Sequence, residues 1–138
     1  MTTTHKAHCL VLLYPLQGHI NPMLQFSKRL QSKRVEVTIA TTKSFLKEMK
    51  ELPNSVSIEA ISDGYDDGGI DQAKTFEAYF IRFKEVGSDT LSQLIQKLAN
   101  SGCPVNCIVY DPYNYWVVEV AKNFGLISAV FFTQLCGG

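Results

Sequence analysis

Two residues of this sequence, His19 and Asp111, have the types and surroundings needed for general-base chemistry. His19 follows Gly18 just after an apolar run, and Asp111 ends a second apolar run, Cys107 to Tyr110. An imidazole can accept a proton near neutral pH, and a neighbouring carboxylate fixes its tautomer and favours the cation that forms. Because no G-x-S-x-G elbow supplies a serine nucleophile, the hydroxyl activated by this pair would belong to a substrate.

The elements that must position these residues follow from the hydrophobic pattern. Short apolar or β-branched runs alternate with stretches of helical periodicity, which predicts strands at His8–Tyr14, Val35–Thr41, Val56–Ile61, Cys107–Tyr110 and Ser128–Phe132. This alternation predicts an α/β fold: one Rossmann-like domain with an open, doubly wound, mostly parallel sheet, right-handed crossovers and helices on both faces. No linker interrupts residues 1–138.

Start and stop signals predict the helices between those strands. The first helix is expected over His19–Lys33 with Pro22 in its first turn, and Ser44 is expected to cap a short second helix. A long helix follows, with an aromatic stripe and a bend at Gly87, and a last helix covers Trp116–Phe124.

A doubly wound sheet binds its ligand beyond the carboxyl ends of the strands, where the strand order reverses. An order of 3-2-1-4-5 would place the ends of the first and fourth strands side by side, and with them His19 and Asp111. Asp111 before Pro112 also has the form of a helix N-cap, and this role is compatible with catalysis.

Several candidates have structural interpretations that the residues alone leave open. His19 could be a helix-start residue, and Thr133 could simply end a strand. The stripe of Phe76, Tyr79, Phe80 and Phe83 favours core packing over a ligand pocket. The acidic run that begins at Asp63 does not match a calcium loop and predicts a solvated turn.

Composition and motifs exclude several classes of function. The 138 residues carry 13 basic and 13 acidic side chains, a net charge of 0, which argues against a nucleic-acid or membrane partner. No apolar run could span a bilayer and no signal region opens the chain, so a cytoplasmic location is expected. The four cysteines are expected to be buried thiols and no metal site is predicted. The sequence lacks both the G-x-G-x-x-G motif and a P-loop, which argues against a dinucleotide-dependent oxidoreductase and against a nucleoside-triphosphatase.

Four motifs resemble those of plant family-1 UDP-glycosyltransferases, closest to the group with salicylate, terpenoid and steroid glucosyltransferases. They cover essentially the whole chain in order: Y-P-L-Q-G-H-I-N-P, I-S-D-G-Y-D-D-G-G, C-I-V-Y-D and F-F-T-Q. The resemblance implies the GT-B architecture of two Rossmann-like halves. This chain would be the N-terminal, acceptor-binding half, and a C-terminal half, in cis or in trans, would bind most of the UDP-sugar.

The resemblance also implies a reaction. Glucose would pass from UDP-glucose to a hydroxyl or carboxyl of a small apolar acceptor, such as a terpenoid, steroid or phenolic, with inversion. His19 would be the base and Asp111 its stabilising partner, and the UDP-sugar would be a co-substrate with no cofactor or metal required. Donor binding would involve Gly18 and Thr133, and acceptor binding would involve, besides His19, the aromatic residues Tyr14, Phe80 and Phe83.

Two departures from the family pattern qualify this expectation. The donor-binding signature of the family is absent from the 138 residues, so this chain by itself is expected to be inactive. The alternative function is a non-catalytic small-molecule binding fragment of the same fold. Asn114 and Tyr115 stand where relatives more often have an apolar residue and proline, and altered acceptor preference is the hypothesis that follows.

Overall fold

The computed structural model describes residues 7–13, 17–48 and 57–131, with the side chains of residues 17–21 and 48 left out of the description. Strands and helices alternate along these ranges in the order β1 (His8–Leu12), α1 (Gln17–Ser32), β2 (Glu36–Thr42), α2 (Lys43–Glu48), β3 (Ser57–Ile61), α3 (Phe76–Asn100), β4 (Cys107–Tyr110), α4 (Val117–Asn123) and β5 (Ile127–Val130). Two 3₁₀ turns, Gly69–Gln72 and Pro112–Asn114, precede α3 and α4.

The five strands form one parallel sheet in the order β3-β2-β1-β4-β5. This confirms the predicted doubly wound topology, with β1 at the centre and the reversal of strand order beside it. Leu12 is the register partner of both Ala40 in β2 and Tyr110 in β4. The residue after Tyr110, Asp111, therefore lies level with the end of β1, where α1 is about to begin.

Each face of the sheet has its own hydrophobic core. Alternate residues of β1 and the following Leu13 pack into the two cores: Leu10 and Leu12 pack with α3 and α4, whereas Cys9, Val11 and Leu13 pack with α1 and α2. The whole of β1 is buried. A strand covered on both faces reads as a continuous apolar run, which is the pattern that predicted it.

Two details of the predicted helices are wrong. The Thr42 Oγ1 accepts a hydrogen bond from the Phe45 amide at 3.2 Å, so Thr42 rather than Ser44 caps α2, because the helix starts directly after β2. Pro22 lies inside α1 rather than in its first turn. The prediction started this helix after Gly18, but one glycine costs a helix only about 1 kcal/mol, and α1 begins at Gln17.

Gly87 does not interrupt α3, which runs unbroken for 25 residues. A Cβ on Gly87 would lie 2.8 Å from Phe83 Cδ1 and 2.9 Å from Trp116 Cη2. The missing side chain of Gly87 therefore makes room for Trp116 and for the ring of Phe83 in the same helix. The predicted bend at Gly87 stays a prediction. Among the residues that the structure describes, no helix is long and apolar enough to cross a membrane.

Candidate active site

Asp111 is the predicted dyad residue whose side chain the structure describes. It leaves β4 in an extended conformation and caps the 3₁₀ turn that follows, where its Oδ1 accepts a hydrogen bond from the Tyr113 amide at 3.0 Å. Pro112 takes the first position of that turn, as its missing N–H and fixed φ favour. The predicted role of Asp111 as an N-cap is confirmed, and Asp111 is 0% exposed.

The strand alternation places Asp111 on the same face of the sheet as α1. Val109 packs into the core formed with α1 and α2. Two residues further along an extended chain the side chain projects from that same face. The main chain thus brings Asp111 and the first turn of α1, which contains Gly18 and His19, to the same face and the same end of the sheet.

The structure leaves four of the predicted site residues untested. Tyr14 and Thr133 lie outside the described residues, and so does the side chain of His19. Gly18, which has no side chain, belongs with His19 to α1, and its contact with a donor stays a prediction. The dyad of His19 with Asp111 therefore stays a prediction that the backbone placement supports.

An aromatic patch lies at the same end of the sheet, on the opposite face. We define it as Phe76 and Phe80 of α3 with Tyr113 and Tyr115 of the turn after β4. Ring centroids lie 6.2 Å apart for Phe76 and Phe80, 6.3 Å for Phe76 and Tyr113, and 5.6 Å for Phe80 and Tyr115. Phe76 is 50% exposed, Tyr113 42% and Tyr115 55%, so this is an unusually aromatic exposed surface.

The aromatic stripe of α3 is divided between this patch and the core. Phe80 is half-buried, whereas Phe83 is fully buried between Tyr79 at 5.7 Å and Trp116 at 5.4 Å. The core interpretation therefore describes Tyr79 and Phe83, and Phe80 forms part of a surface. A contact of Phe80 with an acceptor stays a prediction, whereas Phe83 has no exposed surface for such a contact.

Asp63 is buried, which corrects the predicted solvated turn at this residue. Its Oδ2 accepts from the Tyr79 hydroxyl at 2.7 Å and its Oδ1 accepts from the Tyr65 amide at 2.8 Å. Asp67 and Asp71, later in the same acidic run, are exposed as expected. The spacing of acidic residues could not reveal this difference, because the phenol that pairs with Asp63 comes from α3.

Among the described residues, three buried side chains at the carboxyl end of the sheet have polar atoms without a hydrogen-bond partner. They are Thr41 at the end of β2, Asn114 in the turn after β4, and Trp116 at the start of α4. Asn114 has both its amide oxygen and its amide nitrogen unpaired at 0% exposure. Buried polar atoms normally have partners, so these side chains are exceptions within the described part of the chain. In the described ranges, no three metal-ligating side chains come together.

A parallel sheet in the order β3-β2-β1-β4-β5 has the Rossmann-like topology, in which ligands bind where the strand order reverses. The chain matches no family model. It is 45% identical over 132 residues to UDP-glycosyltransferase 74F2 of Arabidopsis thaliana, which covers 95% of this chain and 29% of that relative. It is 40% identical over 129 residues to the indole-3-acetate beta-glucosyltransferase of Zea mays, which covers 94% of this chain and 27% of that relative.

The solved structures to which this chain is similar are also plant glycosyltransferases. The crystal structure of Os79 from O. sativa in complex with U2F and trichothecene matches with a TM-score of 0.87 and 35% identity, over 94% of this chain and 30% of that one. The chain belongs to the plant family-1 UDP-glycosyltransferases, as its motifs predicted, and has the α/β fold of the N-terminal half of their GT-B structures. It spans about three tenths of the length of the relatives it matches.

Proposed function

We propose that residues 1–138 form the acceptor-binding domain of a UDP-glucosyltransferase. The reaction transfers glucose from UDP-glucose to a hydroxyl or carboxyl of a small apolar acceptor. The names of the relatives support the reaction class. The observation that carries the proposal is the buried Asp111 carboxylate, which lies on the α1 face at the reversal of strand order.

In this proposal His19 is the general base. Its imidazole takes the proton of the acceptor hydroxyl, and the deprotonated oxygen attacks the anomeric carbon of the sugar. The bond from that carbon to the diphosphate oxygen breaks, UDP leaves from the opposite face, and the configuration inverts. The N-terminus of α1 disfavours a cation, so the buried carboxylate of Asp111 is needed to stabilise the imidazolium and to fix its tautomer.

The remaining site residues bind either the sugar donor or the acceptor. Gly18 and Thr133 contact the sugar donor, and the acceptor lies against His19, Tyr14 and the half-buried Phe80. The predicted acceptor residue Phe83 is fully buried in the core and has no exposed surface for an acceptor. Most of the UDP contacts come from a C-terminal half, in cis or in trans, and no metal takes part. The predicted cytoplasmic location stays a prediction.

The test joins this chain to the remainder of a relative, so that the donor is bound. A fusion to the C-terminal part of the Arabidopsis UDP-glycosyltransferase 74F2 is given UDP-glucose and a panel of hydroxylated and carboxylated apolar acceptors. We expect a glycoside of inverted configuration. His19→Ala should lower kcat about 10²- to 10⁴-fold, which is the usual contribution of a positioned base.

Two matched variants control for nonspecific damage. Gln25→Ala changes an exposed residue of the same helix as His19, and Asp71→Asn changes an exposed carboxylate; both should keep full activity. If His19→Ala retained the parent rate, the base assignment would be wrong. If the fusion folded and bound an acceptor but formed no glycoside, the alternative of a non-catalytic binding domain would replace the proposal.

A further inference from the structure

Two cysteines face each other across the centre of the sheet. Cys9 of β1 is the register partner of Cys107 of β4. Register partners in parallel strands project from the same face, and these two belong to the same hydrophobic core. Neighbouring strands lie about 4.7–4.9 Å apart, within the Cα separation of about 4.4–6.8 Å that a disulfide spans. The sheet therefore holds two thiols at a spacing that oxidation could close.

The two thiols differ in accessibility and in acidity. Cys9 is 2% exposed, whereas Cys107 is partly exposed. The hydrogen-bonding interaction with Cys9 lowers the pKa of Cys107 to about 7, against the opposing effect of its partial burial. The same interaction, together with burial, raises the pKa of Cys9. Because the thiolate is the nucleophile, Cys107 is the thiol that reacts first and Cys9 the one that follows.

We propose that Cys107 and Cys9 form a redox pair that converts to an interstrand disulfide in the presence of a hydroperoxide. The Cys107 thiolate attacks the terminal peroxide oxygen, the O–O bond breaks, and the peroxide leaves as an alcohol or water after taking up a proton. Cys107 is thereby oxidised to a sulfenic acid. The Cys9 sulfur then attacks the Cys107 sulfur, the S–O bond breaks, and hydroxide leaves with the proton of Cys9 as water.

This pair lies at the other end of the sheet from the candidate active site. Cys107 is the first residue of β4 and Cys9 the second of β1, whereas Asp111 and α1 follow the carboxyl ends of those strands. The pair is therefore a separate modification site, and it does not depend on the proposed transferase activity. A disulfide here would join the two strands whose ends carry the predicted dyad.

The experiment isolates the pair by removing the other two of the four cysteines, Cys103 and Cys136. The Cys103→Ser/Cys136→Ser chain is treated at pH 7 with hydrogen peroxide and then denatured in the presence of an alkylating agent. Its intact mass is measured by mass spectrometry. We expect the loss of two hydrogen atoms, no alkylation of either thiol, and full recovery of both thiols after reduction. A mass increase from added oxygen atoms, without formation of the disulfide, would overturn the proposal.

Substitutions at each partner separate their roles. Adding Cys9→Ala should leave Cys107 as a sulfenic acid that dimedone traps and that further peroxide converts to sulfinic acid. Adding Cys107→Ser should leave Cys9 unmodified. The midpoint of the pH dependence of Cys107 alkylation is expected near 7 in the native pair and closer to about 8.5 without Cys9. A midpoint unaffected by Cys9→Ala would contradict the pairing, and circular dichroism confirms that each variant is folded.

Discussion

The ends of β3 and β4 each carry a buried aspartate, and the two differ in the face of the sheet from which they project. Asp63 is two residues past Ile61, which packs with α3 and α4, and its carboxylate meets the hydroxyl of Tyr79 on α3. Asp111 is two residues past Val109, which packs with α1 and α2. The same residue type, two residues past the end of β3 and one residue past the end of β4, thus serves a loop-fixing role on one face and the candidate site on the other.

The difference follows from the two-residue period of a strand. A carboxylate that projects towards α3 finds a phenol and a backbone amide that hold both of its oxygens. A carboxylate that projects towards α1 lies at the end where the first turn of that helix begins. Burial at a strand end is therefore not by itself a sign of catalysis. The face from which the side chain projects is the informative property.

The largest expected effect tests this contrast directly. In the fused enzyme, Asp111→Asn should lower kcat about 10²- to 10⁴-fold, because a neutral amide cannot stabilise an imidazolium. Stability should change little, since asparagine caps the turn about as well as aspartate. Steady-state kinetics and urea unfolding measure the two quantities. A rate unchanged in Asp111→Asn would remove the distinction between the two aspartates.

The reciprocal change at β3 should act on stability instead. Asp63→Ala removes the buried hydrogen bond between the Tyr79 hydroxyl and the Asp63 carboxylate and should lower the free energy of unfolding by about 1.5–3 kcal/mol. A double-mutant cycle with Tyr79→Phe measures the coupling of this pair in urea. The exposed Asp71→Ala is the matched control and should be neutral. Additive effects of Asp63→Ala and Tyr79→Phe would disprove the coupling.

A smaller effect is expected where the long helix α3 passes the aromatic core. Gly87→Ala would force a methyl group against Phe83 and Trp116. The overpacking outweighs the gain in helix propensity, so we expect a net loss of about 1–2 kcal/mol. Gln96→Ala, on an exposed position of the same helix, should not destabilise. Greater stability of Gly87→Ala would show that the backbone relaxes away from these rings.

An effect of similar size but opposite sign is expected at the unpaired amide of Asn114, beside the candidate site. Asn114→Leu replaces two buried polar atoms that lack partners and should raise the free energy of unfolding by about 1–2 kcal/mol. In the fused enzyme, Asn114→Leu with Tyr115→Pro restores the commoner family residues and should shift the distribution of products over the acceptor panel. An unchanged product profile would show that these two residues do not set acceptor preference.

Local patterns predicted most of the framework correctly. The continuous apolar run of β1, the alternation of strands with helices and the turn signal of Asp111 before Pro112 each depend on neighbours close in sequence. Two features that the local patterns missed have a different origin. The burial of Asp63 and the packing of Gly87 depend on partners from distant elements, Tyr79 and Trp116, which no local pattern identifies.

By itself the sequence determined the class of the fold, the family and the candidates for proton transfer, because hydrophobic period, turn chemistry and motif order are all written along the chain. Only the tertiary structure decided that Asp111 lies on the α1 face of the sheet while Asp63 accepts a hydrogen bond from Tyr79. It also decided that Cys9 and Cys107 are register partners in neighbouring strands. These outcomes depend on strand register and on the side of the sheet that each helix covers. Both are set by the packing of the two cores together, since shifting a strand by one residue would exchange its faces.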